Sequence, residues 1–362
     1  MLPATRAVVL SGPNDLSVQE FERPVSGELD AVLRIEACGL CGSDIEQIRG
    51  TVPNPVFPVV PGHEPVGVIE SIGATASERW GVRAGDRVCV EVVVPCLDCR
   101  GCETGLSNGC ERPLGTYGFR PIPGDDRVSG GFAEYMYVHP NSTLHRISNE
   151  LPARVAAMYN SVAAGIRWVQ EVGQVSRGDT VVVLGCGQRG IAAAMAAKEA
   201  GADLVIVTGL ERDAHKLGIA EKFGADVTIF ADREDVPGRV HELTEGRLAD
   251  VILDLTPMAG QPVRDALAAV RRGGRVVLAG LKSGQEISVN TDLIVKKSLT
   301  VVGALGVEGG SIKAAIALLE SGRYPFELMQ THTFGLDDVA QALAVLASEV
   351  EGEDAVHVAI LP

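Results

Sequence analysis

Apolar and polar positions change their rhythm near residue 178. Upstream, the runs RAVVL, LSVQEF, AVLRIEA, PVGVIESIG, DRVCVEVVV and FAEYMYV are separated by Gly, Pro, Asn and Asp. Short runs bounded by turn formers predict strands of a compact, mostly antiparallel domain. Downstream, near-continuous Val/Ile/Leu runs predict strands at 180–184, 203–208, 226–230, 250–254, 275–279 and 299–303, with helical patterns such as IAAAMAAKEA and QPVRDALAAV between them. Strands apolar on both faces and alternating with helices predict a parallel sheet covered on each side. Six of them fit a doubly wound, dinucleotide-binding α/β fold. After residue 304 come two helical stretches, SIKAAIALLESG and LDDVAQALAVLASE, and the short apolar end AVHVAILP, which is expected to rejoin the first domain.

Composition narrows the function. The 362 residues are enough for two domains, and 46% hydrophobic against 22% charged residues predicts an ordered core. A formal net charge of −15 argues against nucleic acid and gives no reason to expect an anionic membrane surface as partner. No run reaches the roughly 18 apolar residues of a membrane span. The opening MLPATRAVVLSGPNDL has no apolar segment of signal-peptide length. A cytoplasmic enzyme is the expectation. In that setting eight cysteines suggest metal binding before disulfides.

The run VVVLGCGQRG sets Gly185, Gly187 and Gly190 in G-x-G-x-x-G spacing, between a buried strand and a helix. Gly185 permits the tight turn, Gly187 lets backbone approach a pyrophosphate, and Gly190 allows helix to pack on strand. The free N–H groups of the helix start, with Gln188 and Arg189 in its first turn, would hold the anion. Further on, Glu211 would accept from the ribose 2′-OH of NAD, whereas its neighbour Arg212 would pair with the extra phosphate of NADP. The reading adopted is NAD, with NADP as the alternative.

Cys96, Cys99, Cys102 and Cys110 run C-x2-C-x2-C-x7-C within residues 94–110. Four thiols so spaced suit a tetrahedral zinc whose coordination sphere they fill, which makes the role structural. A redox C-x-x-C pair and an iron–sulfur cluster are the alternatives for the same thiols. The redox pair fits less well, because the motif opens no thioredoxin-like helix and two further thiols stand beside it. Elsewhere, Cys41 in ACGLCGSD and His63 with Glu64 in PGHEP offer a thiolate, an imidazole and a carboxylate, the donor types of an open catalytic zinc site.

The ordered set EACGLCGSD, PGHEPVGVIESIG, GDRVCVE, the four-cysteine segment, GGFAEYMYV, GDTVVVLGCGQRG and RRGGRVVLAG resembles the zinc-dependent medium-chain dehydrogenase/reductase family over essentially the whole chain. That family contains alcohol, sorbitol and threonine dehydrogenases. The resemblance implies an α/β protein with two domains. One is a GroES-like, mostly-β catalytic domain of residues 1–160 and 304–362; the other is a Rossmann domain of residues 161–303. It implies hydride transfer between an alcohol or its carbonyl product and a nicotinamide cofactor, two zinc ions per chain, and a homodimer or homotetramer formed through the strand SLTVVG. By motif, Cys41 and His63 map to catalytic zinc ligands, Glu64 to an exchangeable carboxylate, Ser43 to a proton relay, and Asp44 to the partner that orients His63. The rivals are a zinc-free enone or quinone reductase on the same scaffold and a non-catalytic dinucleotide-binding protein.

Two positions depart from the family pattern. Asn160 stands where relatives commonly place a Cys, Glu or Asp ligand, so Glu64 is expected to complete the zinc shell. Asn160 then serves as a weak ligand or a hydrogen-bond donor to bound water, or else only satisfies backbone groups. Glu46 stands where many relatives place a relay histidine, and serves as terminal base or as a surface residue. By analogy TVPNPVFPVV, Val92 and the turn at Leu305 line a mostly apolar pocket, which leans to a hydrophobic alcohol over a polyol. GFRPIPGDDRVSGG is read as a pocket rim or subunit contact, with a disordered surface loop as the alternative.

Overall fold

In the computed structural model, which describes residues 4–105, 107–120 and 128–362, the N-terminal runs become β1 (Ala4–Gly12), β2 (Asp15–Glu22), β3 (Ala31–Gly39), β4 (Glu64–Ile72) and β5 (Arg87–Val90). The run DRVCVEVVV does not continue as one strand. Glu91 points its side chain to the buried His145 Nε2 at 2.8 Å while its backbone N–H donates to Thr143 O at 3.0 Å, and the next strand is β6 (Val93–Val94). β6 pairs with β7 (Gly115–Thr116) beside the cysteine lobe, and β8 (Tyr135–Val138) and β9 (Leu144–Arg146) follow. Of the expected rim segment, residues 121–127 lie outside the described residues.

The chain then enters a second unit, Ser161–Val307. Its strands are β10 (Thr180–Leu184), β11 (Leu204–Gly209), β12 (Val227–Phe230), β13 (Ala249–Asp254), β14 (Val270–Leu278) and β15 (Thr300–Gly303). All pair in parallel, in the order β12-β11-β10-β13-β14-β15. Val181, Val182 and Val183 of β10 are fully buried. Burying each such side chain contributes roughly 1.5–3 kcal/mol, which is why β-branched residues occupy the central strand without alternation. The chain winds outward from β10 to β12, then crosses back to β13. The carboxyl ends of β10 and β13 therefore form the crevice where strand order reverses, the usual ligand position in such sheets.

The return to the first unit falls at Glu308 rather than at 304. Local bonds hold the intervening residues to the second unit. Ala304 N–H donates to Leu278 O at 2.9 Å, Arg167 Nη1 to Leu305 O at 3.0 Å, and the Trp168 indole N–H to Gly306 O at 3.3 Å. The last residues add β16 (Gln330–Phe334) and β17 (His357–Ile360) to the first unit, whose main sheet runs β16-β17-β3-β4-β5-β9 with β8 also on β3. β16 carries no clear apolar alternation, and its pairing with β17 makes it a strand. In this sheet Gly39 pairs with Glu64 on one side and with Ala359 on the other. Three stretches far apart in sequence thus meet at one end of the sheet. Among the described residues no helix is long and apolar enough to cross a membrane.

Candidate metal centres and dinucleotide turn

Cys41 ends the loop after β3 and precedes the helix Gly42–Ile48. His63 ends the loop before β4, and Glu64 opens that strand. Gly62 shapes this loop: its φ is +90°, and a Cβ there would lie 2.5 Å from the Phe132 ring and 2.7 Å from its backbone nitrogen. A side chain is excluded on both counts. One ligand atom each from Cys41, His63 and Glu64 lies within 4.8 Å of the others, and all three residues are buried.

Asp44, fully buried on the same helix, ties two of the three together. Its Oδ2 accepts the Cys41 backbone N–H at 2.8 Å, and its Oδ1 lies 3.0 Å from His63 Nδ1. A carboxylate only accepts, so Nδ1 carries a proton, and Nε2, on the side of Glu64 with Oε1 3.7 Å away, is the nitrogen at which a metal can replace a proton. Burial opposes charge on His63. Nevertheless the Asp44 charge and hydrogen bond, with Cys41 and Glu64 behind them, raise its pKa well above the usual value. Surroundings that draw positive charge onto so deeply buried an imidazole meet the electrostatic requirement of a metal cation. The donor set therefore fits zinc.

The four cysteines of the lobe fit it as well. Sulfur–sulfur distances are 3.9 Å for Cys96–Cys102, 3.5 Å for Cys99–Cys102, 3.9 Å for Cys99–Cys110 and 3.6 Å for Cys96–Cys110. A tetrahedron with zinc–sulfur bonds of about 2.3 Å has edges of about 3.8 Å. Backbone N–H groups point at the sulfurs: Cys96 N–H at Cys110 Sγ and Glu111 N–H at Cys99 Sγ, both at 3.4 Å. The Glu111 and Cys102 backbone donors pull the Cys99 thiol down to about 6, where a thiolate is available at neutral pH. All eight cysteines are free of disulfides.

Other expected site residues are placed as follows. Ser43 and Glu46 are half-buried on the helix after Cys41, and their spacing of three sets them on one side of it. Asn160 is buried in the first turn of the helix Tyr159–Ile166. Phe57 packs against the core cluster that includes Leu10, Ile48 and Phe132; Val92 is half-buried, and Leu305 is exposed in the second unit. Sequence reasoning missed Phe119, whose ring centroid lies 4.8 Å from that of His63. It also missed Gln47, whose side-chain amide donates to Gly118 O at 2.7 Å and ties the helix to the loop bearing Phe119. It missed His357 too. That residue is fully buried, and burial depresses its pKa to about 3, so it is neutral.

In the second unit Gly185 has φ +107° directly after β10, and Gly187 precedes the helix Gln188–Glu199. A Cβ on Gly190 would lie 2.0 Å from Gly185 O, so helix and turn touch only because Gly190 has no side chain. Arg189 sits over the Trp168 ring at 5.3 Å. Beyond β11, Glu211 forms an exposed ion pair with Arg233, and its backbone N–H donates to Asp232 Oδ1 at 3.0 Å.

Two family models match the chain: the alcohol dehydrogenase GroES-like domain over residues 27–149 and the zinc-binding dehydrogenase domain over residues 190–321. A probable alcohol dehydrogenase of Mycobacterium tuberculosis is 43% identical over 363 residues, 99% of this chain and 98% of that protein. The chain belongs to the zinc-binding medium-chain alcohol dehydrogenase family. Within that family, an erythritol/L-threitol dehydrogenase of Mycolicibacterium smegmatis is 34% identical over 368 residues, 99% of this chain and 97% of that protein. Among solved structures, a zinc-binding dehydrogenase from Sinorhizobium meliloti 1021 bound to NADP has a TM-score of 0.87 at 25% identity, covering 99% of this chain and 100% of that one. An alcohol dehydrogenase of Escherichia coli CFT073 complexed with NADH has a TM-score of 0.86 at 26% identity, covering 99% of both chains. This dehydrogenase thus has the GroES-like and Rossmann architecture of its family.

Proposed function

We propose that this dehydrogenase transfers a hydride between a primary or secondary alcohol and NAD, with Cys41, His63 and Glu64 holding a catalytic zinc and the four-cysteine lobe holding a structural one. The observation that carries the reading is the buried convergence of thiol, imidazole and carboxylate, with Asp44 engaging His63 Nδ1 so that Nε2 is the nitrogen left for a metal. Bound there, zinc supplies the Lewis acidity that lowers an alcohol's pKa or polarises a carbonyl, and the nicotinamide accepts or returns the hydride. The residues of the chain do the rest. Cys41 and Glu64 bring the negative charge that a dication needs in a buried place. Ser43 takes the substrate hydroxyl proton toward solvent, and Glu46, on the same side of the helix, is its terminal acceptor. Asn160, uncharged, serves in this reading as a weak ligand or as a hydrogen-bond donor to bound water.

NAD is favoured over NADP in this reading because Glu211 stands beyond β11 as an acceptor for a ribose 2′-OH, with Asp232 accepting its backbone N–H. The pattern of a polyol-acting relative and a mostly apolar loop 51–60 leaves both small polyols and hydrophobic alcohols as the substrates to screen. A homodimer through β15 is supported by its place at the sheet edge, with Val301 and neighbouring Val295 exposed. Eight unbridged cysteines support a reducing, cytoplasmic setting.

The test is zinc content by elemental analysis, on the wild type beside Cys41→Ser and Cys99→Ser. The expected result is about two zinc ions per wild-type chain, as in structural plus catalytic sites. Cys41→Ser should lose one with the fold intact and lose alcohol oxidation with it. Wild-type zinc content in Cys41→Ser would overturn the catalytic assignment.

A further inference from the structure

One buried imidazole near the metal ligands is left with an empty acceptor. His357 Nδ1 lies 2.9 Å from Gln330 Oε1, and Gln330 Nε2 donates to His332 O at 2.7 Å. The second bond orients the amide, so Oε1 faces His357 and Nδ1 must be the donor. With Nδ1 donating to Gln330 and nothing bonded at Nε2, the geometry assigns the ring proton to Nδ1 and leaves Nε2 as a bare lone pair. Nε2 is buried and has no hydrogen-bond partner.

Its surroundings are defined by Gly39. A Cβ built on Gly39 would lie 2.7 Å from Glu64 Oε2, 3.0 Å from His357 Nε2 and 3.1 Å from Ala157 O. Carboxylate, imidazole and carbonyl thus converge over one bare Cα, and the sheet register holds them there, with Gly39 between Glu64 and Ala359. On this side neither His357 Nε2 nor Ala157 O has a proton to donate. The other carboxylate oxygen, Oε1, lies near His63 Nε2. An ionised carboxylate is stabilised by donors and cations and destabilised by lone pairs aimed at it.

We propose that His357, locked in its Nδ1–H tautomer by Gln330, is a positioning residue that turns the Glu64 carboxylate toward the metal by presenting only a lone pair behind it. This rests on the reading of Cys41, His63 and Glu64 as zinc ligands. A donor at the same point would have the opposite effect: it would give the carboxylate a partner away from the metal and weaken zinc binding.

The experiment exchanges acceptor for donor. His357→Gln sets an amide NH2 about where Nε2 lies, His357→Met sets an apolar group there, and Gln330→Leu frees the ring to carry its proton on Nε2. Affinity of the catalytic zinc is read by chelator competition, and the ligand set by the visible spectrum of the cobalt-substituted protein. The zinc of the four-cysteine lobe reports that the unit is folded. His357→Gln and Gln330→Leu are expected to weaken catalytic zinc by about tenfold or more, the usual scale for groups that orient ligands, and to change the cobalt spectrum. His357→Met should stay within about threefold of wild type, well inside that scale. In a Glu64→Gln background the difference between the Gln and Met variants should vanish. Equal losses in His357→Gln and His357→Met, or a difference that persists without the carboxylate, would make His357 a packing residue and overturn the proposal. Wild-type zinc content in Cys41→Ser would instead remove the zinc reading beneath it.

Discussion

Asp44→Asn is the sharpest perturbation of the candidate metal centre, because it changes one atom and removes a charge without changing volume. The aspartate accepts twice, from the Cys41 backbone N–H at 2.8 Å and from His63 Nδ1–H at 3.0 Å, in a place with no exposure to solvent. An asparagine has one acceptor and one NH2 group. If the NH2 faces Cys41, two donors oppose each other and a charge-assisted bond of about 1.5–3 kcal/mol is lost from the loop that carries the thiolate. If it faces His63, the ring can satisfy it only by moving its proton to Nε2, and a protonated Nε2 cannot bind zinc. Either arrangement is expected to weaken catalytic zinc by about 10–100-fold, equivalent to about 1.4–2.8 kcal/mol. The assay is chelator competition followed by zinc counting, with thermal melting of the metal-loaded and stripped protein alongside. Stripped protein should melt somewhat below wild type, because a buried charge-assisted bond is lost, so the zinc-dependent part is read as the difference between loaded and stripped melts. Metal-loaded protein should lose most of its zinc-dependent stabilisation. Two zinc ions held with wild-type affinity would refute the argument that Asp44 fixes the ligand tautomer.

Three further outcomes follow from the second unit. Gly190→Ala should destabilise the protein by about 1–3 kcal/mol in urea unfolding, since its Cβ would lie 2.0 Å from Gly185 O, and should weaken NADH binding measured by fluorescence; unchanged binding would remove the turn from the cofactor site. Glu211→Ala should move the ratio of NAD to NADP turnover toward NADP, because it removes the acceptor for the 2′-OH and frees Arg233 from its ion pair; a constant ratio would mean that Glu211 does not read the ribose. Burial pushes the Cys186 thiol up to about 12. At pH 8, four units lower, roughly one thiol in ten thousand is ionised. Iodoacetamide should therefore spare Cys186 in the native protein, as read by mass spectrometry, and rapid labelling would show that the turn opens.

Much of this arrangement is legible locally. β10 spans the predicted 180–184, and the other sheet strands begin or end within a residue or two of expectation, apart from the earlier start of β14. Apolar β-branched runs buried on both faces leave little freedom of register. The four-cysteine cluster is equally local: ligands within fifteen residues converge by short turns alone. Where local pattern failed, a distant partner had decided the outcome. Glu91 divides DRVCVEVVV because His145 awaits it, β16 exists because β17 pairs with it, and residues 304–307 stay with the second unit because Arg167 and Trp168 hold their carbonyls.

The sequence by itself determined the two-unit α/β plan, the glycine turn after a buried strand, the lobe built on clustered thiols, and the donor types around Cys41 and His63. Each is written in neighbouring residues, through periodicity, backbone freedom or ligand spacing. Only the tertiary structure decided which side of Glu64 faces His63, that Phe119 lies against the His63 ring, and that His357 and Gly39 complete the surroundings of the carboxylate. These depend on strand register between segments far apart in the chain. A single-residue slip of β17 or β4 would turn His357 or Glu64 to the opposite face of the sheet, and no local pattern reports that pairing.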